Sequence, residues 1–177
     1  VDIPWQVHFK RRATDLHEGH ARLDTLSAGN YGGLVFPIYL PDKPPRKDRK
    51  NGSLIEDADA IFASIEAIVA RSPAFLPLGA SRAEPGKIST FLAIEGAGAF
   101  GADITQIDRF IARGLRLVSP AHRKNSPLSA SATGEKVKYG LTPLGKAFCE
   151  RVYERGALID VSHVSDAAFA DIVAIAD

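Results

Sequence analysis

Residues 87–101 read Lys87–Ile88–Ser89–Thr90–Phe91–Leu92–Ala93–Ile94–Glu95 and then Gly96–Ala97–Gly98–Ala99–Phe100–Gly101. The first nine are rich in β-branched, aromatic and aliphatic residues, the composition of a buried strand. That strand ends on a carboxylate. Three glycines then turn the chain, and Asp103 caps a helix that carries Ile104, Ile107, Phe110 and Ile111 on one face. Strand, turn and helix in that order form the unit from which parallel sheets are built.

The same unit recurs on either side. Leu34–Leu40 is an apolar run between Gly32–Gly33 and Pro41, and it reads as a strand with an awkward proline at 37. Ser53–Leu54–Ile55–Glu56 is a capping box. It opens a helix whose stripe is Leu54, Ala58, Ile61, Phe62, Ile65, Ile68 and Val69. Leu115–Ser119 is the next strand and runs into Pro120–Ala121–His122. Thr142–Pro143 starts a helix striped by Leu144, Phe148 and Val152, which Gly156 ends. Ala157–Val161 is a strand running into Ser162–His163, and Ser165–Asp166 caps a last helix over 166–176. Residues 6–28, polar with scattered apolar positions, are predicted as a first helix. Regular alternation implies a parallel α/β sheet, either open and doubly wound or closed as a (β/α)8 barrel.

Composition narrows the function. The chain has 177 residues, 22 Lys+Arg against 21 Asp+Glu, and 45% hydrophobic residues. It can bury a core, and it carries no charge excess to suit nucleic acid or an anionic membrane. No apolar stretch reaches the ~20 residues of a transmembrane segment. No signal peptide is visible in VDIPWQVHFK. The absence of any methionine suggests a piece of something longer, and a cytoplasmic or periplasmic site is the expectation for a bacterial protein. The lone Cys149 excludes an internal disulfide and reads as a small core hydrophobe. The Pro-rich charged stretch 42–51 reads as a surface loop. The glycines at 96–101 have the G-x-G-x-x-G spacing and lie between a strand and a helix, but dinucleotide binding is not the expected function.

Glu95, His122 and His163 each stand at or just past the C-terminal end of a predicted strand, and Asp2 stands where an earlier strand would end. In a barrel those ends share one face. Carboxylate and imidazole brought together there are zinc-ligand types. Singly, each residue has a plainer role: Glu95 as a helix cap, His122 as a loop residue, His163 as a turn residue. Repetition at one station in successive units points to a metal site. Asp160, on the strand leading to His163, is placed to orient a ligand by hydrogen bonding. His8, His17 and His20 read as surface residues.

Five blocks carry a resemblance: Asp2-Ile3-Pro4-Trp5, Ala93-Ile94-Glu95-Gly96, Gly114-Leu115-Arg116 leading to His122, Gly140-Leu141-Thr142-Pro143-Leu144-Gly145, and Leu158-Ile159-Asp160-Val161-Ser162-His163-Val164-Ser165. In content and order the chain resembles the membrane (renal) dipeptidase family, zinc metallopeptidases with a (β/α)8 barrel. The resemblance implies a TIM-barrel type fold, incomplete, with residues 1–177 forming about its first half, since a complete barrel needs roughly 250 residues. It implies two Zn2+ ions: Asp2 on the first, Glu95 bridging both, His163 on the second. His122 looks like the family's substrate-binding, catalytic histidine. A metal-bridged hydroxide would hydrolyse a dipeptide, and a homodimer is a further expectation. The family's other ligands, a histidine before Val1 and further residues after Asp177, lie outside the chain, and Leu128 replaces an aromatic residue. The segment alone is therefore expected to bind zinc weakly and to leave dipeptides intact. Two other readings stay open: a truncated or inactive relative serving as a non-catalytic module, and another metal-dependent amidohydrolase. The latter usually opens with His-x-His, where this chain has Val1–Asp2.

Overall fold

Four parallel strands lie side by side in the order in which the chain makes them: β1 (Gly33–Tyr39), β2 (Ser89–Glu95), β3 (Leu115–Ser119) and β4 (Leu158–Ile159). The computed structural model describes residues 2–41, 53–80, 82–135 and 139–176; the charged stretch 42–51 lies outside them. Helices α1 (Ile3–Lys10), α2 (Leu23–Ala28), α3 (Leu54–Ala70), α4 (Ile107–Ala112), α5 (Pro143–Glu154) and α6 (Asp166–Ala176), with 3-10 helices over Ala97–Ala102 and Ile104–Gln106, complete the described elements.

The two faces of the sheet differ. Leu34, Phe36 and Ile38 of β1, Leu92 and Ile94 of β2, and Leu115 and Val118 of β3 are buried in one cluster with Ile61, Phe62 and Ile65 of α3, Phe110 of α4 and Phe148 of α5. Each large side chain fully buried there contributes about 1.5–3 kcal/mol. The alternate residues face the other way. Val35 is 39% exposed, its register partner Phe91 47%, and Leu158 61%. Unreversed strand order with helices packed against one face is the wall of a barrel; a doubly wound sheet reverses its order and covers both faces.

A bulge sets the register at the functional end. Leu92 pairs with Leu115, but Ala93 pairs with Leu117, so β3 carries one extra residue at Arg116. Beyond it the pairing is even, and Tyr39, Glu95 and Ser119 stand abreast at the strand ends. Pro37 sits within β1, an edge strand of the described sheet, where one side of the backbone needs no ladder partner.

The caps follow the sequence reading. Ser53 Oγ accepts the Glu56 amide at 3.2 Å while Glu56 Oε2 accepts the Ser53 amide at 2.7 Å. Thr142 Oγ1 accepts the Gly145 amide at 2.9 Å. Cys149 is buried beside Leu141, Val164, Ala168 and Ile172, and burial pushes its thiol pKa up to about 12.

Three expectations need correction. Residues 6–28 do not form one helix: Arg11 and Leu16 adopt left-handed backbone at φ 56° and 55°, Gly19 lies at φ 81°, and the chain breaks between α1 and α2. Asp103 caps a 3-10 turn, Ile104–Gln106, before α4 begins at Ile107. The strand expected over 157–161 is only Leu158–Ile159. His8 also departs from a surface role. Its Nε2 lies 3.5 Å from Oδ1 of the buried Asp57, because α1 packs on α3. No described helix is long and apolar enough to cross a membrane.

Candidate metal centre

The strand ends bring three of the expected residues together. Glu95 Oε1 lies 3.3 Å from His122 Nε2 and 3.3 Å from His163 Nε2. Each of the three offers a ligand atom within 4.8 Å of the other two. The imidazole rings meet edge to face, with centroids 4.6 Å apart at 80°.

Local structure produces this meeting. Glu95 is the last residue of β2, its side chain on the face opposite the helices, next to Ser119 across the sheet. Gly96 then turns the chain at φ 88°. A Cβ there would stand 2.6 Å from the Leu40 carbonyl oxygen and 3.4 Å from His122 Cβ, so only glycine lets the three loops close up. His122 is held by its backbone: Ser131 Oγ donates to the His122 carbonyl at 2.6 Å, and Asn125 Oδ1 accepts the Ser131 amide at 2.9 Å. Its ring packs on Tyr39, centroids 5.1 Å apart, and Tyr39 packs on Trp5 at 5.3 Å. His163 adopts left-handed backbone at φ 70°, uncommon for a residue with a side chain. Asp160 Oδ1 accepts the Ser162 amide at 2.9 Å; it fastens the turn that presents His163 rather than the imidazole itself.

The donor set fits a zinc ion. On a tetrahedral centre with Zn–N and Zn–O bonds of roughly 2.0–2.2 Å, neighbouring ligand atoms stand about 3.3–3.5 Å apart. The separation between Glu95 Oε1 and His163 Nε2 has that length. The side chains are 30% (Glu95), 12% (His122) and 36% (His163) exposed, so the cluster is anchored in the protein and open on one side.

The family model for membrane dipeptidases (Peptidase family M19) matches residues 1–177. The chain belongs to that family. It is 32% identical over 181 residues to the dipeptidase tcpJ of Claviceps purpurea (strain 20.1), covering 94% of this chain and 42% of that protein. The crystal structure of the dipeptidase AC, an M19 metallo peptidase, superposes with a TM-score of 0.78 at 19% identity, covering 98% of this chain and 58% of that one. A metallo peptidase from Rhodobacter sphaeroides, liganded with a phosphinate mimic of the dipeptide L-Ala-D-Ala, gives 0.74 at 20% identity, with 96% and 56% covered. At such identities the structural likeness speaks for the fold, which is of the (β/α)8 type. The chain spans about half the length of these relatives.

The remaining candidates lie apart from the trio. Asp2 is exposed at the N-terminus of α1 and is not in the mutual 4.8 Å group. His17 and His20 are exposed. Leu128, expected to stand in place of an aromatic residue, is fully buried in the core; its carbonyl would lie 1.8 Å from a Cβ at Gly145. Tyr39 escaped the sequence reading although the signal was present: it ends the first strand, at the station where Glu95 ends the second.

Proposed function

We propose that this chain supplies the front half of a zinc-dependent dipeptidase site holding two ions. Glu95 would bridge both, Asp2 would serve one, and His163 the other. Zinc bound there supplies Lewis acidity and lowers the pKa of water toward neutrality. The substrate is a dipeptide, whose scissile carbonyl lies where the His122 imidazole can donate a hydrogen bond to the oxygen as negative charge builds on it. Packing against Tyr39 and the fixed carbonyl of His122 keep that donor in place, so little reorganisation accompanies the reaction. Asp160 acts at one remove, by holding the turn of His163.

One observation carries this reading: a single carboxylate oxygen, Glu95 Oε1, 3.3 Å from two imidazole nitrogens at the ends of neighbouring parallel strands. Family membership supports the dipeptide substrate. The Glu95→Ala variant tests it. Mass-spectrometric zinc content should fall by at least one ion per chain relative to the parent; unchanged stoichiometry would overturn the bridging role. Residues 1–177 alone should turn over dipeptides poorly, and brisk zinc-dependent turnover by this segment would show that the site needs no further ligands.

A further inference from the structure

A cavity of about 480 Å³ opens beside the candidate metal centre, lined by Tyr39, Pro41, His122, Arg123, Lys124, Thr133, Gly134 and Glu135. Its size suits a small ligand. His122 belongs to both cavity and cluster, so whatever occupies the cavity touches the residue assigned to the scissile carbonyl. The cavity's charge is uneven. Arg123 and Lys124 are exposed, and among the described residues neither has a carboxylate within 4.0 Å. Among the described residues that line it, Glu135 is the one acidic group. Two cations and one carboxylate are the charge complement of a dipeptide with an acidic side chain, which presents one ammonium group and two carboxylates. A neutral dipeptide leaves one cation unmatched, and a basic one adds repulsion.

We propose that Arg123 and Lys124 make this site selective for dipeptides bearing an Asp or Glu side chain. The selectivity rests on the dipeptidase reading of the same site and goes beyond it by naming the substrate class. The backbone here is rigid enough to matter. Thr133 Oγ1 donates to the Arg123 carbonyl at 3.0 Å, and the neighbouring His122 carbonyl accepts from Ser131. The two cations are thereby kept at the cavity rim rather than on a free loop.

The test is binding to metal-stripped protein, where hydrolysis does not interfere. Dissociation constants for Ala-Glu and its neutral isostere Ala-Gln, and for Glu-Ala and Gln-Ala, are measured by titration calorimetry at low salt. At least one acidic member should bind about fivefold tighter than its amide partner, as expected for two exposed ion pairs. The ratio should shrink in 0.5 M salt. It should fall to about one in the Arg123→Gln/Lys124→Gln double variant, whose substitutions lie on the surface. Equal affinities within both pairs, no detectable binding of any of the four, or a ratio the double variant keeps would each overturn the proposal. Those failures differ from failure of the dipeptidase reading, which shows as unchanged zinc content in Glu95→Ala.

Discussion

The carbonyl oxygen of His163 accepts the Ala132 amide at 2.8 Å. This bond ties the segment after β4 to the loop after β3, and the Ser131–Val164 bridge adjoins it. It holds His163 in left-handed backbone, which costs roughly 1–3 kcal/mol for a residue with a Cβ. A functional position that stores strain should separate stability from ligation. His163→Gly is expected to raise the stability of metal-free protein by about 1 kcal/mol over His163→Ala, with both losing zinc affinity by tenfold or more. Thermal melts in chelator and zinc titrations read the two effects. A glycine variant that melts below the alanine variant would show that the conformation carries no strain.

Gly96 leads to the opposite result. Its left-handed backbone and the 2.6 Å approach of a Cβ to the Leu40 carbonyl leave no room for Ala. Gly96→Ala should destabilise by about 2 kcal/mol or more, since a backbone atom must move. Zinc affinity should fall with it, because the displaced segment carries Glu95 on one side and presses on His122 on the other. Chemical denaturation with an unchanged midpoint would refute this.

His122 is the residue whose two possible roles can be told apart. In the assigned role it contacts substrate, so in the intact enzyme His122→Ala should lower kcat about 100-fold or more while zinc content stays at the parent level. Loss of an ion from that variant would instead make His122 a ligand, as its place in the 4.8 Å group also allows.

Acid stability should depend on Asp108. Its carboxylate takes two hydrogen bonds from Arg151, both at 2.7 Å, and lies 2.9 Å from Arg155, joining α4 to α5. The Arg151 hydrogen bonds above all hold its pKa below the ordinary carboxylate value; desolvation, next in size, opposes them, and the charges of both arginines add smaller downward pulls. A lowered folded pKa means the contribution is present above the unfolded value of about 3.9 and fades as pH drops through the folded one. Asp108→Asn should therefore cost about 1 kcal/mol at pH 7, a shift of a few degrees in Tm. The gap between variant and parent should close below about pH 4. A gap that persists at pH 2 would remove the ion pair as its cause.

Most of the sheet and the meeting of the trio at the strand ends were legible because local signals and tertiary demands agree there. Glu95 ends an unbroken apolar run before a glycine, and His163 follows a short one; parallel crossover geometry then forces both to one end. The segment 6–28 was not legible as two helices. Helix-compatible residues fill it, and the break depends on Arg11 and Leu16 taking positive φ, which nothing in those residue types announces. Gly19 and Asp15, whose Oδ1 accepts the His17 amide, were the available hints. The shortness of β4 also depends on context, because Asp160 turns the chain through Ser162 before the apolar run ends. How the His122 loop is held was hidden for a different reason: loop 120–133 is positioned by serine and asparagine hydrogen bonds that have no periodicity to read.

The order β1-β2-β3-β4 is also the order of synthesis. Each strand after β1 emerges to find its neighbour already made, although each pairing must close a crossover, as where Gly33 pairs with Ser89 and Leu117 with Leu158. Glu95 is in place first, His122 next and His163 last. A nascent chain stalled before β4 would carry Glu95 but lack His163, so under the proposed assignment the metal those two share could be held only once β4 is made.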